Sequence, residues 1–182
     1  MYPAKQTFLV LGLSRSGCAA AEFLLERKAK VYIYDDVPGE GVEKSARLLE
    51  DKGAVRADKE QLPRMQEICD ALVLSPGIPI DHPTAVAFKR SGKAVVGETE
   101  LAARYMRCPV VAVTGTNGKT TTVSMLEKIL SEGGYKAQAC GNIGSPMVKY
   151  TELKEDEVAV AEISSFQLET LNSLCPHVGV VL

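Results

Sequence analysis

Short apolar, β-branched runs alternate along this chain with longer amphipathic stretches, the pattern of parallel strands whose sheet is covered by helices. Strands are expected at about 7–11 (TFLVL), 30–34 (KVYIY), 54–57 (AVRA), 71–74 (ALVL) and 94–96 (AVV). A second series follows at about 109–113 (PVVAV), 136–140 (KAQAC), 158–162 (VAVAE) and 178–182 (VGVVL). Helices fill the intervals, notably around 16–28, 43–52, 83–91, 98–106 and 119–132. Two glycine-rich strand-to-helix turns, one after Leu11 and one after Val113, each look like the first βα turn of a separate sheet. Two α/β domains are therefore expected, 1–97 and 98–182. The run VGVVL is wholly apolar and suits a central buried strand, yet no covering helix follows it, so the second domain is expected to be truncated.

Composition narrows the function classes. At 182 residues and 46% hydrophobic, with mean hydropathy of +0.01, the chain has enough apolar material for one large or two small cores. Its 21 basic and 23 acidic residues are scattered, and the net charge of −2 leaves no electrostatic footprint for nucleic acid. Phosphate-bearing small molecules stay open, because backbone amides and a single lysine bind them without a basic surface. The five cysteines (Cys18, Cys69, Cys108, Cys140, Cys175) are far apart, odd in number and without a CxxC pair, which fits a reduced, cytoplasmic compartment. His82 and His177 lack Cys or His partners at ligand spacing, so no zinc site is expected. The amino-terminal apolar run of about five residues is too short for a signal peptide or a membrane span.

In LVLGLSRSG, Gly12, Ser14 and Gly17 stand where a GxGxxG fingerprint would place glycines, between a strand and a helix. Serine replaces the glycine that lets a dinucleotide pyrophosphate approach the backbone, which argues against NAD or FAD. A helix N-terminus still offers amides to a phosphate, with the Ser14 and Ser16 hydroxyls as further donors and Arg15 as a charge partner. Asp35 and Asp36 close the second strand, where a carboxylate commonly accepts from a ribose, or form a solvated turn before Pro38-Gly39. Ser75-Pro76-Gly77-Ile78-Pro79 follows the fourth strand and belongs at the same ligand-binding edge.

The strongest local signal is Val113-Thr114-Gly115-Thr116-Asn117-Gly118-Lys119-Thr120-Thr121. Such a loop wraps amides around phosphate oxygens, places a lysine on the β and γ groups and offers a hydroxyl to magnesium. The usual pattern asks for glycine five positions before Gly118, where this chain has Val113; that departure argues against an ordinary GTPase or kinase but not against phosphate binding. Glu162 ends a strong strand and is placed to hold magnesium, with Ser164 and Gln167 just beyond it or serving only as a helix cap. Asn142, in Gly141-Asn142-Ile143-Gly144, could reach the same edge.

Taken together, LGLSRSG, LSPGIP (74–79), GETEL (97–101), VTGTNGKTTT (113–122), GNIGSP (141–146) and EISSFQLE (162–169) resemble the Mur ligase family, in its D-glutamate-adding branch. GTNGKTT alone points only to the wider superfamily, which includes folylpolyglutamate synthase. The resemblance implies an α/β fold with an N-terminal Rossmann-like sheet, followed by the first part of a P-loop ATPase domain. It further implies that ATP phosphorylates the carboxylate of UDP-N-acetylmuramoyl-L-alanine and that D-glutamate attacks the acyl phosphate, in peptidoglycan precursor synthesis. Gly115, Thr116, Asn117, Gly118, Lys119, Thr120 and Thr121 would hold ATP, and Thr120 and Glu162 would hold Mg2+. Lys119, Glu162 and Asn142 would act in catalysis, with Asn142, Ser164 and Gln167 lining the place where ATP meets the substrate. Gly12, Leu13, Ser14, Arg15, Ser16, Asp35, Asp36, Ser75, Pro76 and Gly77 would take the UDP end. The whole enzyme is expected to be a monomer, with neither nucleic acid nor membrane as partner, and this chain a portion inactive by itself. The alternatives are a free-standing UDP-sugar-binding module, another P-loop ligase, or a nucleotide kinase or GTPase.

Overall fold

The computed structural model describes residues 5–182, so the first four positions of the amino-terminal stretch lie outside the described residues. The chain divides into two compact units, Met1–Glu98 and Thr99–Leu182.

In the first unit the elements are β1 (Thr7–Leu11), α1 (Arg15–Glu26), β2 (Lys30–Tyr34), α2 (Glu40–Asp51), β3 (Val55–Arg56), α3 (Leu62–Ile68), β4 (Ala71–Leu74), α4 (Pro83–Arg90) and β5 (Ala94–Gly97). The strands pair in parallel in the order β3-β2-β1-β4-β5. From β1 the chain builds outward through β2 to β3, then crosses back to β4 and β5. The order reverses beside β1, and the carboxyl edge there is where open parallel sheets bind ligands. Phe8–Leu11 and Ala71–Leu74 are buried along their whole length, as strands covered on both faces must be. Leu9, Leu11, Leu72 and Leu74 pack with Leu62, Met65, Ala85 and Phe88 from α3 and α4 on one face.

The second unit contains most of α5 (Glu98–Ala103), then β6 (Val110–Thr114), α6 (Lys119–Glu132), β7 (Lys136–Gly141), β8 (Glu157–Glu162), α7 (Ser165–Leu168) and β9 (Val178–Val181). Its strands are also parallel, in the order β7-β8-β6-β9. Val113, Val123, Ala137, Val158 and Val160 form its apolar centre beneath α6.

Two expectations need correction. The strand expected at 54–57 spans only Val55–Arg56, because Ala54 N–H turns back to Leu49 O at the end of α2, and Ala57, after donating to Ile33 O, leads into the turn capped by Asp58. The helix expected to reach 106 ends at Ala103; Tyr105 and Met106 N–H close a turn on Ala102 O just before Cys108-Pro109, where proline disfavours a helical predecessor. The apolar run at 178–182 forms the expected strand, β9, at an edge of this sheet. β9 pairs with β6 alone, and Val178 and Val181 are 51% and 81% exposed.

Candidate functional site

Three loops converge at the carboxyl edge of the first sheet, and hydrogen bonds tie each to another. Gly12 leaves β1 with φ of +90°, and its N–H donates to Tyr34 O at the end of β2. A side chain at Gly12 would place its Cβ 2.7 Å from Ser75 Cβ, and one at Gly17 would place it 1.9 Å from Gly12 O. Glycine is therefore required at both positions by close packing of loop and helix. Leu13 N–H donates to Asp35 Oδ2 at 2.6 Å, and Val37 N–H donates to Asp35 Oδ1 at 2.9 Å. Asp35 accordingly braces the first loop as well as ending β2. Ser14 and Ser75 join through their hydroxyls at 2.6 Å, so the serine in the middle-glycine place links the first loop to the third. Arg15 is exposed and Ser16 half-buried in the first turn of α1, whose helical ladder begins with Cys18 N–H donating to Ser14 O. Ser75 is buried, Pro76 half-buried and Gly77 exposed, in a turn closed by Ile78 N–H donating to Ser75 O. Asp36 pairs with His82 at 2.9 Å from Oδ2 to Nε2, a partner that the sequence reading considered only as a metal ligand.

In the second unit the loop between β6 and α6 curls around its own amides. Gly115 and Gly118 have φ of +135° and +81°, conformations that admit glycine most readily. Val113 lies inside β6, fully buried and paired with Glu162 and Val180, so the loop begins two residues later than in the usual pattern and Gly115 makes its first turn. Lys119 opens α6, and its ammonium donates to Gly115 O at 2.6 Å and Thr116 O at 3.2 Å, across the mouth of the loop. Thr116, Asn117 and Thr121 are exposed around it. Glu162, 2% exposed, receives the Thr120 hydroxyl on Oε2 at 2.7 Å and the Asn142 amide on Oε1 at 2.7 Å. Gly141 makes the last approach possible: it has φ of +94°, and a Cβ there would lie 2.4 Å from Glu162 O. Thr120, Asn142 and Glu162 are thus gathered at the N-terminus of α6. A hydroxyl and a carboxylate this close are hard oxygen donors of the kind magnesium takes alongside phosphates and water.

Of the two roles open to Ser164 and Gln167, the structure shows the helix cap. Gln167 is buried; its Oε1 accepts from Ser164 N–H at 2.8 Å and its Nε2 donates to Thr99 Oγ1 at 2.9 Å. Ser164 Oγ accepts from Gln167 N–H at 3.3 Å, completing a capping box that starts α7. Direct contact of Gln167 with a ligand would require breaking that box.

Two long-range contacts have no local sequence signature. Glu100, completely buried, accepts N–H bonds from Asn172 and Ser173 and further bonds from the Ser173 hydroxyl and Arg104 Nε, all at 2.8 Å. Burial pushes its pKa up, but these four donors outweigh that and hold it below the ordinary carboxylate value. The other is the Asp36–His82 pair. Both join residues far apart in the chain, and no local spacing signals them. None of the five cysteines is in a disulfide, and no helix among the described residues is long and apolar enough to cross a membrane.

Comparison with known proteins adds independent findings. Residues 6–97 match the model of the Mur ligase MurD-like N-terminal domain, and residues 113–182 that of the Mur ligase middle domain. The chain is 41% identical over 175 residues to UDP-N-acetylmuramoylalanine--D-glutamate ligase of Koribacter versatilis, covering 96% of this chain and 39% of that protein. It is 40% identical over 191 residues to the protein of the same name from Pelotomaculum thermopropionicum, covering 98% and 39%. The chain thus spans about two fifths of the length of these curated relatives. Among solved structures, UDP-N-acetylmuramate:L-alanyl-gamma-D-glutamyl-meso-diaminopimelate ligase from Neisseria meningitides aligns with a TM-score of 0.58 at 18% identity, over 98% of this chain and 60% of that one. A murein peptide ligase from Psychrobacter arcticus aligns with a TM-score of 0.53 at 18% identity, over 88% and 39%. At that identity the likeness concerns the fold.

Proposed function

This chain belongs to the Mur ligase family, and on that premise we propose that it supplies the nucleotide-sugar and ATP-phosphate portions of an ATP-dependent ligase joining D-glutamate to UDP-N-acetylmuramoyl-L-alanine. The proposed reaction has two steps. A carboxylate oxygen of the muramoyl-alanine attacks the γ-phosphorus of ATP, and ADP leaves. The amine of D-glutamate then attacks the acyl phosphate carbon, an amide forms, and phosphate leaves.

The observation that carries this reading is the meeting of Thr120, Glu162 and Asn142 at the N-terminus of α6, beside the Gly115–Lys119 loop. Bringing a carboxylate to a triphosphate sets like charges together, and the barrier falls only where fixed dipoles and cations await the transferring group. The loop amides and the α6 N-terminus supply the dipoles. Lys119 supplies a cation, exchanging its two carbonyl acceptors for phosphate oxygens. Thr120 and Glu162 would hold Mg2+, which when bound neutralises charge on the phosphoryl group. Asn142, already anchored on Glu162, would orient the acceptor carboxylate. In the first unit the loops at Gly12–Ser16, Asp35–Asp36 and Ser75–Gly77 would hold the UDP end; the Ser14–Ser75 link fills the place where a dinucleotide pyrophosphate needs glycine.

Titration with ATP and Mg2+, followed by amide resonances, should move Gly115 through Thr121. Lys119→Ala should weaken that binding by about 100-fold. An unchanged affinity in the variant would overturn the assignment.

A further inference from the structure

The three loops of the first unit are joined pairwise. Leu13 N–H to Asp35 joins the first to the second, and Ser14 to Ser75 joins the first to the third. A side-chain tie closes the remaining side, and it runs through an imidazole just past the end of the third loop. His82 Nε2 lies 2.9 Å from Asp36 Oδ2, while its Nδ1 accepts the Thr84 N–H at 3.2 Å and caps α4. An Nδ1 that accepts carries no proton, so Nε2 carries it and donates to Asp36. The ring is largely buried and has both nitrogens engaged, which fixes its orientation and thereby that of the carboxylate. The Tyr34 phenol is near enough to feel Asp36: burial raises its pKa first and the Asp36 carboxylate raises it further. His82 and Asp36 stand on the wall of a cavity of about 520 Å³ between α3 and α4, lined also by Leu62, Pro63, Gln66 and Pro83.

We propose that His82 is a positioning residue for the nucleotide end of the substrate: through Nε2–H it holds Asp36, and with it the second loop, in register with the third. The proposal rests on the reading that the first unit binds UDP. A site gripping one ligand with three separate loops depends on their mutual placement, and a small misplacement costs affinity at each contact. His82 makes no ligand contact in this scheme; it acts through Asp36.

The two ring nitrogens can be removed separately. Asparagine offers an acceptor near Nδ1 and is too short to reach Asp36, so His82→Asn keeps the cap and removes the tie. Glutamine offers a donor near Nε2, so His82→Gln keeps the tie and removes the cap. The expected result by calorimetry with UDP is that His82→Asn weakens binding by about tenfold, whereas His82→Gln stays within about threefold of wild type and melts at a lower temperature. A purely structural role predicts the reverse order. Wild-type affinity in His82→Asn, or an equal loss in both variants, overturns the proposal. If the wild-type chain itself fails to bind UDP, the underlying reading falls and the proposal with it. The imidazole ¹⁵N spectrum of the wild-type chain is a check that needs no variant: the Nε2–H tautomer is expected, with a shift on adding UDP, and an Nδ1–H tautomer overturns the proposal.

Discussion

Replacing Glu100 by glutamine keeps the shape of the side chain and removes its charge, which isolates what the buried carboxylate does. Oε2 accepts two backbone N–H groups, from Asn172 and Ser173, and Oε1 accepts Ser173 Oγ–H and Arg104 Nε–H. Glutamine must put an NH2 in place of one oxygen, so two donors lose their acceptor and the other two face a neutral carbonyl. At about 1–3 kcal/mol for each buried donor left unsatisfied, the loss is about 3–5 kcal/mol, a large share of the roughly 5–15 kcal/mol that holds a domain folded. Two units need not melt in one transition, so amide hydrogen exchange is the suitable assay. Protection in β6 and β8 should fall by roughly a hundredfold or more, while β1 and β4 serve as the internal control. The pH dependence has a defined sign. The folded-state pKa of Glu100 is lowered, so its contribution is fully present above the unfolded value of about 4.3 and is lost as pH falls through the folded value. The wild-type second unit should weaken below about pH 4 more steeply than Glu100→Gln. Protection of β6 and β8 within about threefold of wild type would refute the reasoning.

Other expectations follow from single contacts. Gly17→Ala drives a methyl onto the backbone oxygen of Gly12, 1.9 Å away, and should destabilise the first unit by about 2–3 kcal/mol; a wild-type urea midpoint would count against the packing described. Thr120→Val keeps the volume but removes the hydroxyl bonded to Glu162, so the gain in ATP affinity on adding Mg2+ should shrink by about tenfold, and an undiminished magnesium effect would exclude Thr120 as a ligand. The 182-residue chain, given ATP, D-glutamate and the nucleotide sugar, should release phosphate far below the rate of on the order of 1 per second typical of enzymes. A phosphate-release assay at or above that rate would show that this chain suffices for catalysis.

How much was legible in the sequence differs by element. Thr7–Leu11, Lys30–Tyr34 and Ala71–Leu74 were read at their observed bounds, because short apolar, β-branched runs between turn residues leave few other conformations. The α6 loop was visible because glycine, lysine and threonine serve it through backbone geometry encoded within a few residues. α3 went unnamed: it is short, and Pro63 sits in its first turn, where proline is compatible with a helix although it reads as a breaker. β9 was read nearly at its bounds, as those three strands were, although an apolar run does not report how many neighbours a strand has. Glu100 stood out only as part of GETEL, and its bracing role gave no signal, since its backbone partners are 72 and 73 residues away. The Asp36–His82 pair escaped for the same reason, and of the two roles the sequence left open for Ser164 and Gln167 the fold shows the helix cap.

The most direct test of the account is an amide-resonance titration of the chain with UDP-N-acetylmuramoyl-L-alanine, run in parallel with NAD. The account predicts saturable shifts at Gly12, Leu13, Ser14, Asp36 and Gly77 with the nucleotide sugar and none with NAD. Saturable NAD binding at those loops, or no response to the nucleotide sugar, would contradict it.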